Sequence, residues 1–500
     1  MDIFSRREFL NRSAILTAAA AGGTAVAADD KPAPVVARGP MDKLRVAVVG
    51  VRGRGGAHVS GFLGKNNCEI TTVCDCDEAV IGGAMKSIEG KQGKAPKFEK
   101  DIRKVVADKD IDIVSIATPN HWHALMAVWA MENGKDVYCE KPATHNVHEG
   151  AIMTAAARKY KRICQVGTQS RSNPGMQEAI AYVRGGKLGK VDLAIGLCYK
   201  PRNSIGDTGT KKGEQEPPKT MDYDLWCGPA PLVKPKRNNP NDKYGTVHYN
   251  WHWMWYTGNG DLGNQGVHEM DKARWGLGIT AMPGMAFSIG GRFGYVDDGE
   301  TANTQLSLFD YGPSKMIFEV RGLATGDYKG AKVGNIFVGT EGYVVCPTYG
   351  GGIAYDKAGK ELQRFGWDAA KKAWLGSDQH HFDNFVKAVR SRKHTDLNCD
   401  IAEGHLSASL CHLANISYRL GTDMPLAKAE KVSTDATTNE FAAAMLAHLK
   451  ANKVDTDKTM AKFGVPLTID AKTEKFKNNE KANALLFREY RKGFELKEIA

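Results

Sequence analysis

The stretch Leu44–Gly56 reads LRVAVVGVRGRGG and places an apolar run directly before a glycine-rich turn. The apolar run, which ends at Val49, has the length and the β-branched residues of a fully buried strand, and a helix is predicted after the glycines. A second predicted strand, Glu69–Cys74, ends in Asp75, 25 residues after Gly50. Strand, glycine turn, helix and later acid together predict a parallel α/β domain that binds a dinucleotide.

The glycine turn and Asp75 define the expected cofactor contacts. Glycines let the backbone approach a pyrophosphate at a helix N-terminus, where the dipole favours anions. The middle glycine of the usual G-x-G-x-x-G pattern is Arg52 here, with Gly53 beside it, so the turn could be displaced by one residue. Arg52 or Arg54 could pair with a phosphate oxygen or be solvated at the rim, and both alternatives stay open. The Asp75 carboxylate would repel a 2′-phosphate, which favours NAD over NADP.

The predicted parallel sheet continues with two more strands that end in polar motifs. Ile113–Ala117 is followed by Thr118-Pro119-Asn120-His121, and Asp136–Cys139 is followed by Glu140-Lys141-Pro142. Ligands of open α/β sheets lie beyond the carboxyl ends of the strands. We therefore expect His121 and Lys141 to face the cofactor crevice.

In this order, these motifs resemble the glucose-fructose oxidoreductase and inositol dehydrogenase family, Gfo/Idh/MocA. The segment from Gly258-Asn259-Gly260-Asp261 to His268-Glu269-Met270-Asp271 is similar to the family's glycine-rich stretch that ends in a catalytic histidine. Ala482-Asn483 and Arg488-Glu489-Tyr490-Arg491 resemble the exported bacterial members. The resemblance implies an α/β protein: an N-terminal NAD(P)-binding Rossmann domain, and a C-terminal α+β domain with an open, mostly antiparallel sheet.

The resemblance also implies site residues. Lys141 would exchange the proton of a substrate hydroxyl, Glu140 would orient Lys141, and His268 would be the catalytic partner. The aspartate that many members carry four residues before this histidine is Asn264 here, and either Asp261 compensates or the reaction differs. The expected cofactor-binding residues are Gly50, Arg52, Gly53, Arg54, Gly55, Asp75, Thr118, Pro119, Asn120, His121, Glu140 and Lys141. The expected substrate-binding residues are Gln169, Arg171, Tyr199, Arg202, Trp251, Trp253, Asp261 and Asn264.

The stretch from His248 to Tyr256, HYNWHWMWY, carries three tryptophans at a spacing of two. On a strand they would share one face, which could stack on a sugar ring, although a core cluster or a subunit contact explains them equally simply. The pairs His121/His123 and His380/His381 lack a third ligand at metal-site spacing, so no metal is expected.

Sequence pattern predicts the second domain independently of the resemblance. Short β-rich segments separated by Gly, Pro and Asp turns predict an antiparallel sheet, with strands at 191–199, 302–309, 315–321 and 334–346. Apolar residues at helical spacing, from Phe382 to Val389 and from Leu406 to Leu420, predict helices that cover one face of this sheet.

The N-terminus predicts export. Ser5-Arg6-Arg7-Glu8-Phe9-Leu10, a short apolar stretch and Ala25-Val26-Ala27 are typical of a cleaved twin-arginine signal. The expected location is the periplasm or another exported site, with the twin-arginine machinery as a partner and no stable membrane anchor. The predicted domains are the signal at 1–28, a linker at 29–42, the Rossmann domain at 43–168, a substrate and oligomerisation domain at 169–433, and a C-terminal extension at 434–500.

Composition excludes several other classes. With 500 residues, of which 42% are hydrophobic and 25% charged, the chain can bury a large core and is not a disordered protein. Its net charge of +11 is scattered and not interleaved with aromatic residues, so no nucleic-acid partner is expected. The ten cysteines lie singly in apolar runs, which is typical of core residues.

Three functions are consistent with the sequence. The first is an NAD(P)-dependent oxidoreductase acting on a secondary hydroxyl of a sugar, sugar alcohol or cyclitol. The second is a glycosidase-like enzyme in which a tightly bound NAD oxidises and then re-reduces the sugar, an alternative favoured by export because free NAD is not expected outside the cytoplasm. The third is an exported, non-catalytic sugar-binding protein, which the presence of Lys141 disfavours. A homo-oligomer is expected by analogy with the family.

Overall fold

The structure is a computed structural model that describes residues 42–206, 216–235 and 245–499. The predicted twin-arginine signal at 1–28 and all but the last residue of the predicted linker lie outside the described residues. The described chain forms two sheet domains, each with its own hydrophobic core.

The N-terminal domain is built on a six-stranded, all-parallel sheet in the order β3-β2-β1-β4-β5-β6. Its strands are β1 Leu44–Val49, β2 Cys68–Cys74, β3 Lys97–Glu99, β4 Ile113–Ile116, β5 Asp136–Glu140 and β6 Cys164–Gly167. Its helices are α1 Gly55–Phe62, α2 Gly82–Gln92, α3 Ile102–Ala107, α4 Asn120–Glu132 and α5 Val147–Lys159. This is the predicted Rossmann arrangement, and its apolar strands are buried on both faces because helices cover both. The next helix, α6 Pro174–Arg184, follows β6 and packs in the core of the second domain.

Between the two sheets the chain forms the short helices α7 Tyr223–Cys227 and α8 Gly245–His248 and the longer helix α9 Val267–Leu277. A π-helical turn, Leu262–Gly266, runs directly into α9. Such turns bring an extra residue into the helix and often occur at functional sites.

The second sheet is mostly antiparallel, as expected, and its only parallel pair among the described strands is β7 with β10. The strand order is β14-β13-β12-β11-β7-β10-β9-β8-β18-β17, with β19 also on β8 and β20 on β19. The strands are β7 Val191–Tyr199, β8 Met285–Gly291, β9 Thr304–Asp310, β10 Lys315–Arg321, β11 Val333–Gly339, β12 Gly342–Cys346, β13 Gly352–Asp356, β14 Glu361–Phe365, β17 Thr422–Pro425, β18 Met460–Phe463, β19 Leu467–Asp470 and β20 Lys475–Phe476. A separate hairpin pairs β15 Trp367–Asp368 with β16 Ala373–Trp374.

Two predictions about this domain are wrong in detail. The predicted strand at 334–346 is two strands, β11 and β12, because the chain reverses at Thr340 and Glu341. The predicted helix around Phe382 exists as α10 Gln379–Ser391, but it covers the Rossmann sheet. Phe382 stacks on Tyr138 of β5 with 4.6 Å between ring centroids. Of the two predicted helices, α11 Ile401–Arg419 is the one that packs on the second sheet.

The C-terminal residues from 434 are integrated into both domains of the chain. Helix α12 Ala436–Ala451 buries Phe441 and Met445 in the core of the second sheet, and β18 and β19 extend that sheet beyond β8. After α13 Glu480–Ala484 the chain returns to the Rossmann domain. There the Phe494 ring packs edge-on against Trp122 of α4, with 5.6 Å between centroids.

Three whole-chain features bear on function. All ten cysteines are free, and nine of them are buried. No helix within the described residues is both long and apolar enough to span a bilayer. The same residues contain no group of three or more His, Cys, Asp or Glu side chains placed to hold a metal ion.

Candidate functional site

A cavity of about 450 Å³ lies beyond the carboxyl ends of β1, β2, β4 and β5. It runs from Asp75 at one end to Lys141 and His268 at the other, and residues of the segments 221–226 and 247–252 complete its wall. The predicted cofactor residues that line it are Gly50, Arg52, Gly53, Arg54, Asp75, Thr118, Pro119, Asn120, Glu140 and Lys141. Of the predicted cofactor set, only Gly55 and His121 are absent from its wall.

The three glycines of the turn have different roles. Gly50 has a φ of +78°, and a Cβ there would lie 2.9 Å from the Ala117 carbonyl group. A Cβ on Gly55 would lie 1.9 Å from the Gly50 carbonyl oxygen, so Gly55 permits the close contact between helix and strand. Gly53, with a φ of +63°, has no atom within 4 Å of a Cβ position and therefore leaves open space at the cavity. Gly50 and Gly53 are both left-handed, a conformation that glycine adopts without strain.

Asp75 is fixed by the backbone at the end of β2. Its carboxylate accepts hydrogen bonds from the backbone N–H groups of Val51, at 3.0 Å, and Asp77, at 3.1 Å. Burial raises the pKa of Asp75 to about 6. Two acceptor positions remain on the ionised carboxylate, which suits the vicinal hydroxyls of a ribose. Lys100, which sequence reasoning missed, also lines this end, and its ammonium pairs with Glu78.

Arg54 contributes to a buried charge cluster. Its Nε donates to Glu140 Oε1 at 2.7 Å and its Nη1 to Asp378 at 2.6 Å. The same Glu140 oxygen accepts from Gln169 Nε2 at 3.0 Å and lies 3.2 Å from His58 Nε2. Burial favours the neutral acid, but the Arg54 charge, the His58 hydrogen bond and the Lys141 charge together outweigh it and hold the pKa of Glu140 well below its usual value. Arg54 also lines the cavity, and its Nη2 has no hydrogen-bond partner among the described residues, so a contact with a phosphate oxygen stays a prediction.

Lys141 follows directly on this cluster. Its Nζ donates a 2.6 Å hydrogen bond to the backbone carbonyl oxygen of Asn264, and its backbone N–H donates to Glu140 Oε2 at 3.2 Å. Glu140 therefore holds the backbone of Lys141, while the π-helical turn holds its amine. Burial lowers the pKa of Lys141, and Glu140 partly opposes that shift. The Lys141–Pro142 peptide bond is cis.

His268 lines the cavity from the first turn of α9. Its ring lies 4.8 Å from that of Tyr349, centroid to centroid, and its Nδ1 has no hydrogen-bond partner among the described residues. Burial, reinforced by the Lys141 charge, lowers the pKa of His268 well below its usual value, so the ring is neutral at pH 7. A buried ring nitrogen without a protein partner is uncommon and marks His268 as a candidate functional residue.

The predicted substrate residues divide into two groups. Gln169, Trp251 and Asn264 line the cavity. The remaining predicted substrate residues do not line it and have partners in the protein: Arg171 pairs with Asp271 and Glu403, Tyr199 donates to Glu319, Arg202 pairs with Asp261, and Trp253 lies under Arg202.

Two expectations about histidine and tryptophan orientation are wrong. His121 turns away from the crevice, and its Nε2 lies 3.0 Å from the Trp226 carbonyl oxygen. His123 lines the cavity instead, between the carbonyl oxygens of Pro142 and Thr118. The tryptophans share no strand face, because Asn250–Trp253 forms a 3₁₀ turn.

The cover of the cavity was not predicted. Residues 220–228 are fastened to the end of β2, where the Asp222 N–H donates to the Cys76 carbonyl oxygen at 2.8 Å. On the other side Arg491 donates to the carbonyl oxygens of Gly228 and Asp224, each at 2.7 Å. Leu225 and Trp226 of this segment line the cavity. We call residues 220–228 the cover and residues 486–499 the C-terminal tail.

Comparisons with known proteins agree with this architecture. Residues 44–168 match the GFO_IDH_MocA family model, described as an oxidoreductase family with an NAD-binding Rossmann fold. A glycosyl hydrolase family 109 protein from Shewanella sp. (strain W3-18-1) is 32% identical over 157 residues, which are 30% of this chain and 34% of that protein. The chain thus matches about a third of the length of these relatives.

Solved structures match over more of the chain. The WlbA dehydrogenase from Chromobacterium violaceum, in complex with NADH and UDP-GlcNAcA, is 19% identical with a TM-score of 0.54 and covers 77% of this chain and 96% of its own. Levoglucosan dehydrogenase, in complex with NADH and levoglucosan, is 18% identical with a TM-score of 0.54 and covers 75% and 96%. These likenesses establish the fold of both domains.

Proposed function

Because residues 44–168 belong to the NAD-binding Rossmann domains of the Gfo/Idh/MocA oxidoreductases, we propose that this protein is an NAD(P)-dependent oxidoreductase. Its substrate is a sugar, sugar alcohol or cyclitol, and it acts on a secondary hydroxyl of that substrate. The observation that carries the proposal is that Lys141 and His268 line the same cavity as the glycine turn and Asp75. Two groups able to exchange protons thus stand at one end of a dinucleotide cavity.

The chain's own residues fit NAD. Gly50 and Gly53 would lie against the pyrophosphate, and Asp75 would accept from the adenosine ribose. The ionised Asp75 favours NAD over NADP. When bound, NAD accepts a hydride from the carbon that bears the reacting hydroxyl, which is the redox chemistry that the protein itself lacks.

Lys141 is the group that exchanges the hydroxyl proton. Burial lowers its pKa, which increases the fraction of neutral amine near pH 7. The Asn264 carbonyl oxygen fixes the Nζ position through one N–H, and Lys141 lines the cavity. In its ammonium form the same group stabilises negative charge that develops on the substrate oxygen.

His268 is the second contact to that hydroxyl. Its neutral ring can accept from or donate to the hydroxyl through the nitrogen that lacks a protein partner. Asn264 does not supply a carboxylate to the ring, and its own amide donates to Asp261 Oδ1 at 3.4 Å. His268 thus orients the hydroxyl, and Lys141 carries the net proton.

A second candidate has a specific observation in its favour. The relatives that match residues of this chain at 32% identity are named glycosyl hydrolase family 109 proteins. In this second candidate a ring hydroxyl is oxidised, the glycosidic substituent is lost, water is added, and the sugar is finally reduced. Lys141 and His268 would exchange the protons of the ring hydroxyl in this cycle. The glycoside would be cleaved without net NADH, which suits an exported protein with a retained cofactor.

Export and assembly belong to the same proposal. The twin-arginine pattern in residues 1–28 supports a periplasmic or otherwise exported location. The resemblance to the family supports a homo-oligomer. Cell fractionation and native mass spectrometry of the full chain test both statements.

The test of the proposed function begins with the nucleotide. The full chain is purified anaerobically, and nucleotide released on denaturation is identified and counted. Turnover of a panel of sugars, sugar alcohols, cyclitols and glycosides is then followed with and without added NAD. NADH formation that depends on a sugar supports the oxidoreductase, and glycoside cleavage without net NADH supports the second candidate. A protein that binds no nicotinamide nucleotide contradicts both.

A further inference from the structure

A second cavity, of about 400 Å³, adjoins the first one. Tyr249 lines both cavities, so one aromatic side chain forms the boundary between them. Besides Tyr249, its wall contains Arg202, Asn203, Ser204, Asn250 and Trp253, and the apolar residues Pro201 and Ile205 complete it. Nothing in the proposed chemistry at Lys141 accounts for this space.

The boundary is tied to the reacting end of the first cavity by a continuous chain of hydrogen bonds. Lys141 donates to the Asn264 carbonyl oxygen, and the Asn264 amide donates to Asp261. Asp261 accepts two bonds from Arg202, at 3.0 Å and 2.5 Å. Arg202 in turn donates to the Tyr249 hydroxyl at 3.2 Å. The boundary residue Tyr249 and the reacting Lys141 thus belong to one hydrogen-bond network.

The charged side chain in the wall of the second cavity, Arg202, is paired within the protein. Arg202 and Asp261 form a largely buried pair, and the Arg202 guanidinium lies over the Trp253 ring at 5.1 Å. With its charge used in this way, Arg202 has little attraction left for a carboxylate or phosphate of a ligand. The other polar groups of the wall, on Asn203, Ser204 and Asn250, are neutral. The second cavity is therefore suited to an uncharged, polar ligand.

Tyr249 offers an exposed aromatic ring to a ligand in the second cavity. Tyr249 is 39% exposed, an unusual state for a large aromatic side chain between two cavities. A pyranose ring has an apolar C–H face that packs on an aromatic ring, and a rim of hydroxyls that bonds to amides and hydroxyls. Tyr249 and the neutral residues on the far side of it offer both types of contact.

We propose that the second cavity binds a further pyranose unit of the substrate. The substrate is then a glycoside or oligosaccharide, with its reacting sugar beside Lys141 and the next sugar beyond Tyr249. This inference rests on the proposed function, because it assigns a carbohydrate to the first cavity.

The test fills the second cavity without touching the first. Ser204 is exposed and lines only the second cavity, so Ser204→Trp obstructs it, and Ser87→Trp on the exposed face of α2 is the matched control. The probes are glucose, galactose and N-acetylglucosamine, each compared with a disaccharide that carries the same sugar at its non-reducing end: cellobiose, lactose and N,N′-diacetylchitobiose. The readouts are kcat/KM and the binding constant of each sugar for the NAD-loaded protein.

We expect the wild-type protein to prefer a disaccharide over its monosaccharide by about tenfold, the size of one good aromatic contact. Ser204→Trp should remove that preference and leave kcat/KM for the monosaccharide within about twofold of the wild-type value. Ser87→Trp should leave kcat/KM for both sugars within about twofold of the wild-type value. Equal use of monosaccharide and disaccharide by the wild type, or an unchanged preference in Ser204→Trp, overturns the inference. If disaccharide binding is selective and sensitive to Ser204→Trp but no sugar is oxidised or cleaved, the subsite stands and the proposed function fails.

Discussion

The Lys141 ammonium nitrogen lies 2.6 Å from the backbone carbonyl oxygen of Asn264. This bond joins the end of the Rossmann strand β5 to the π-helical turn before α9, and so joins the cofactor domain to the second domain at the reacting end of the cavity. A backbone carbonyl cannot rotate away as a side chain can, so it fixes the lysine through the local fold. The turn thereby places Lys141 and His268 at one wall.

Replacing Lys141 by methionine keeps the length and apolar contacts of the side chain and removes its proton exchange. We expect kcat to fall by about 10²–10⁴-fold, the usual contribution of a general acid or base, with NAD affinity within a few-fold of the wild type. Isothermal titration with NAD and steady-state kinetics on the best sugar check this. A Lys141→Met protein that retains full turnover contradicts the assigned role.

The pH profile of kcat follows from the direction of the Lys141 pKa. Burial lowers this pKa from its ordinary value, so the neutral amine becomes abundant at a lower pH than for a free lysine. Oxidation should rise with pH through that pKa and level off above it, and the rising limb should be absent in Lys141→Met. A limb of the same midpoint in both proteins would assign the base to another group.

His268→Ala tests the second proton contact. Removal of one hydrogen bond to the reacting oxygen, which gains negative charge in the transition state, should lower kcat/KM by about 10–100-fold, because hydrogen bonds to charged groups contribute roughly 1.5–3 kcal/mol. His380→Ala is the control, since that residue lies on the surface of α10 and outside the cavity. Equal kinetic effects of the two variants would remove His268 from the site.

The carboxylate of Asp75 should make NAD affinity depend on pH. Its pKa is raised by burial to about 6, so the ribose acceptor is ionised above pH 6 and protonated below it. The dissociation constant of NAD should therefore rise as pH falls from 7 to 5, by at most about tenfold per pH unit. Asp75→Asn should bind NAD about tenfold more weakly at pH 8 and show little of this pH dependence. A wild-type affinity that is constant between pH 5 and pH 8 rules out the contact.

Arg54 should stabilise the fold through Glu140. In Arg54→Ala the buried carboxylate loses its main counter-charge, which should cost about 2 kcal/mol of the free energy of unfolding at pH 7. Because the pKa of Glu140 is depressed, its favourable contribution is fully present above the unfolded pKa and is lost progressively as pH falls below that value toward the folded pKa. The difference between wild type and variant should accordingly shrink toward pH 4. Urea unfolding at both pH values measures it, and adding Glu140→Gln to the variant should recover part of the loss.

The C-terminal tail should slow the release of NAD. Arg491→Ala removes the bonds that fasten the cover at Gly228 and Asp224, so the cover should open more often. We expect the NAD dissociation rate to rise about fivefold, equivalent to roughly 1 kcal/mol. Arg364→Ala, which removes an exposed arginine paired with Glu361, is the matched control and should leave the rate unchanged. Identical dissociation rates in the two variants would show that the tail does not hold the cover.

The parts of the site that could be predicted from the sequence are local in the chain. The turn that contains Gly53 and the acid at Asp75 each follow a strand that can be recognised by its apolar run. A parallel sheet brings the carboxyl ends of these strands together. His58 could have been found in the same way, since it lies four residues after Arg54 and hence on the same face of the helix region.

The parts that could not be predicted depend on contacts between distant residues. Arg171 is bound by Asp271, 100 residues away, so a residue assigned to the substrate is held inside the protein. The cover and the tail meet only through the tertiary fold. The tryptophan pattern suggested a strand, but the chain turns back at Gly258, where a Cβ would lie 2.4 Å from the His252 carbonyl oxygen. That close approach imposes a compact turn that side-chain periodicity does not reveal.

The most direct test of the central claim is transfer of deuterium from substrate to cofactor. Sugars from the panel, deuterated at their ring carbons, are incubated with the NAD-loaded protein, which is then denatured so that the mass of the released dinucleotide can be measured. We predict one deuterium in the nicotinamide for at least one sugar with the wild-type protein, and none with Lys141→Met. Sugar turnover without deuterium in the cofactor, or equal labelling in Lys141→Met, would contradict the account.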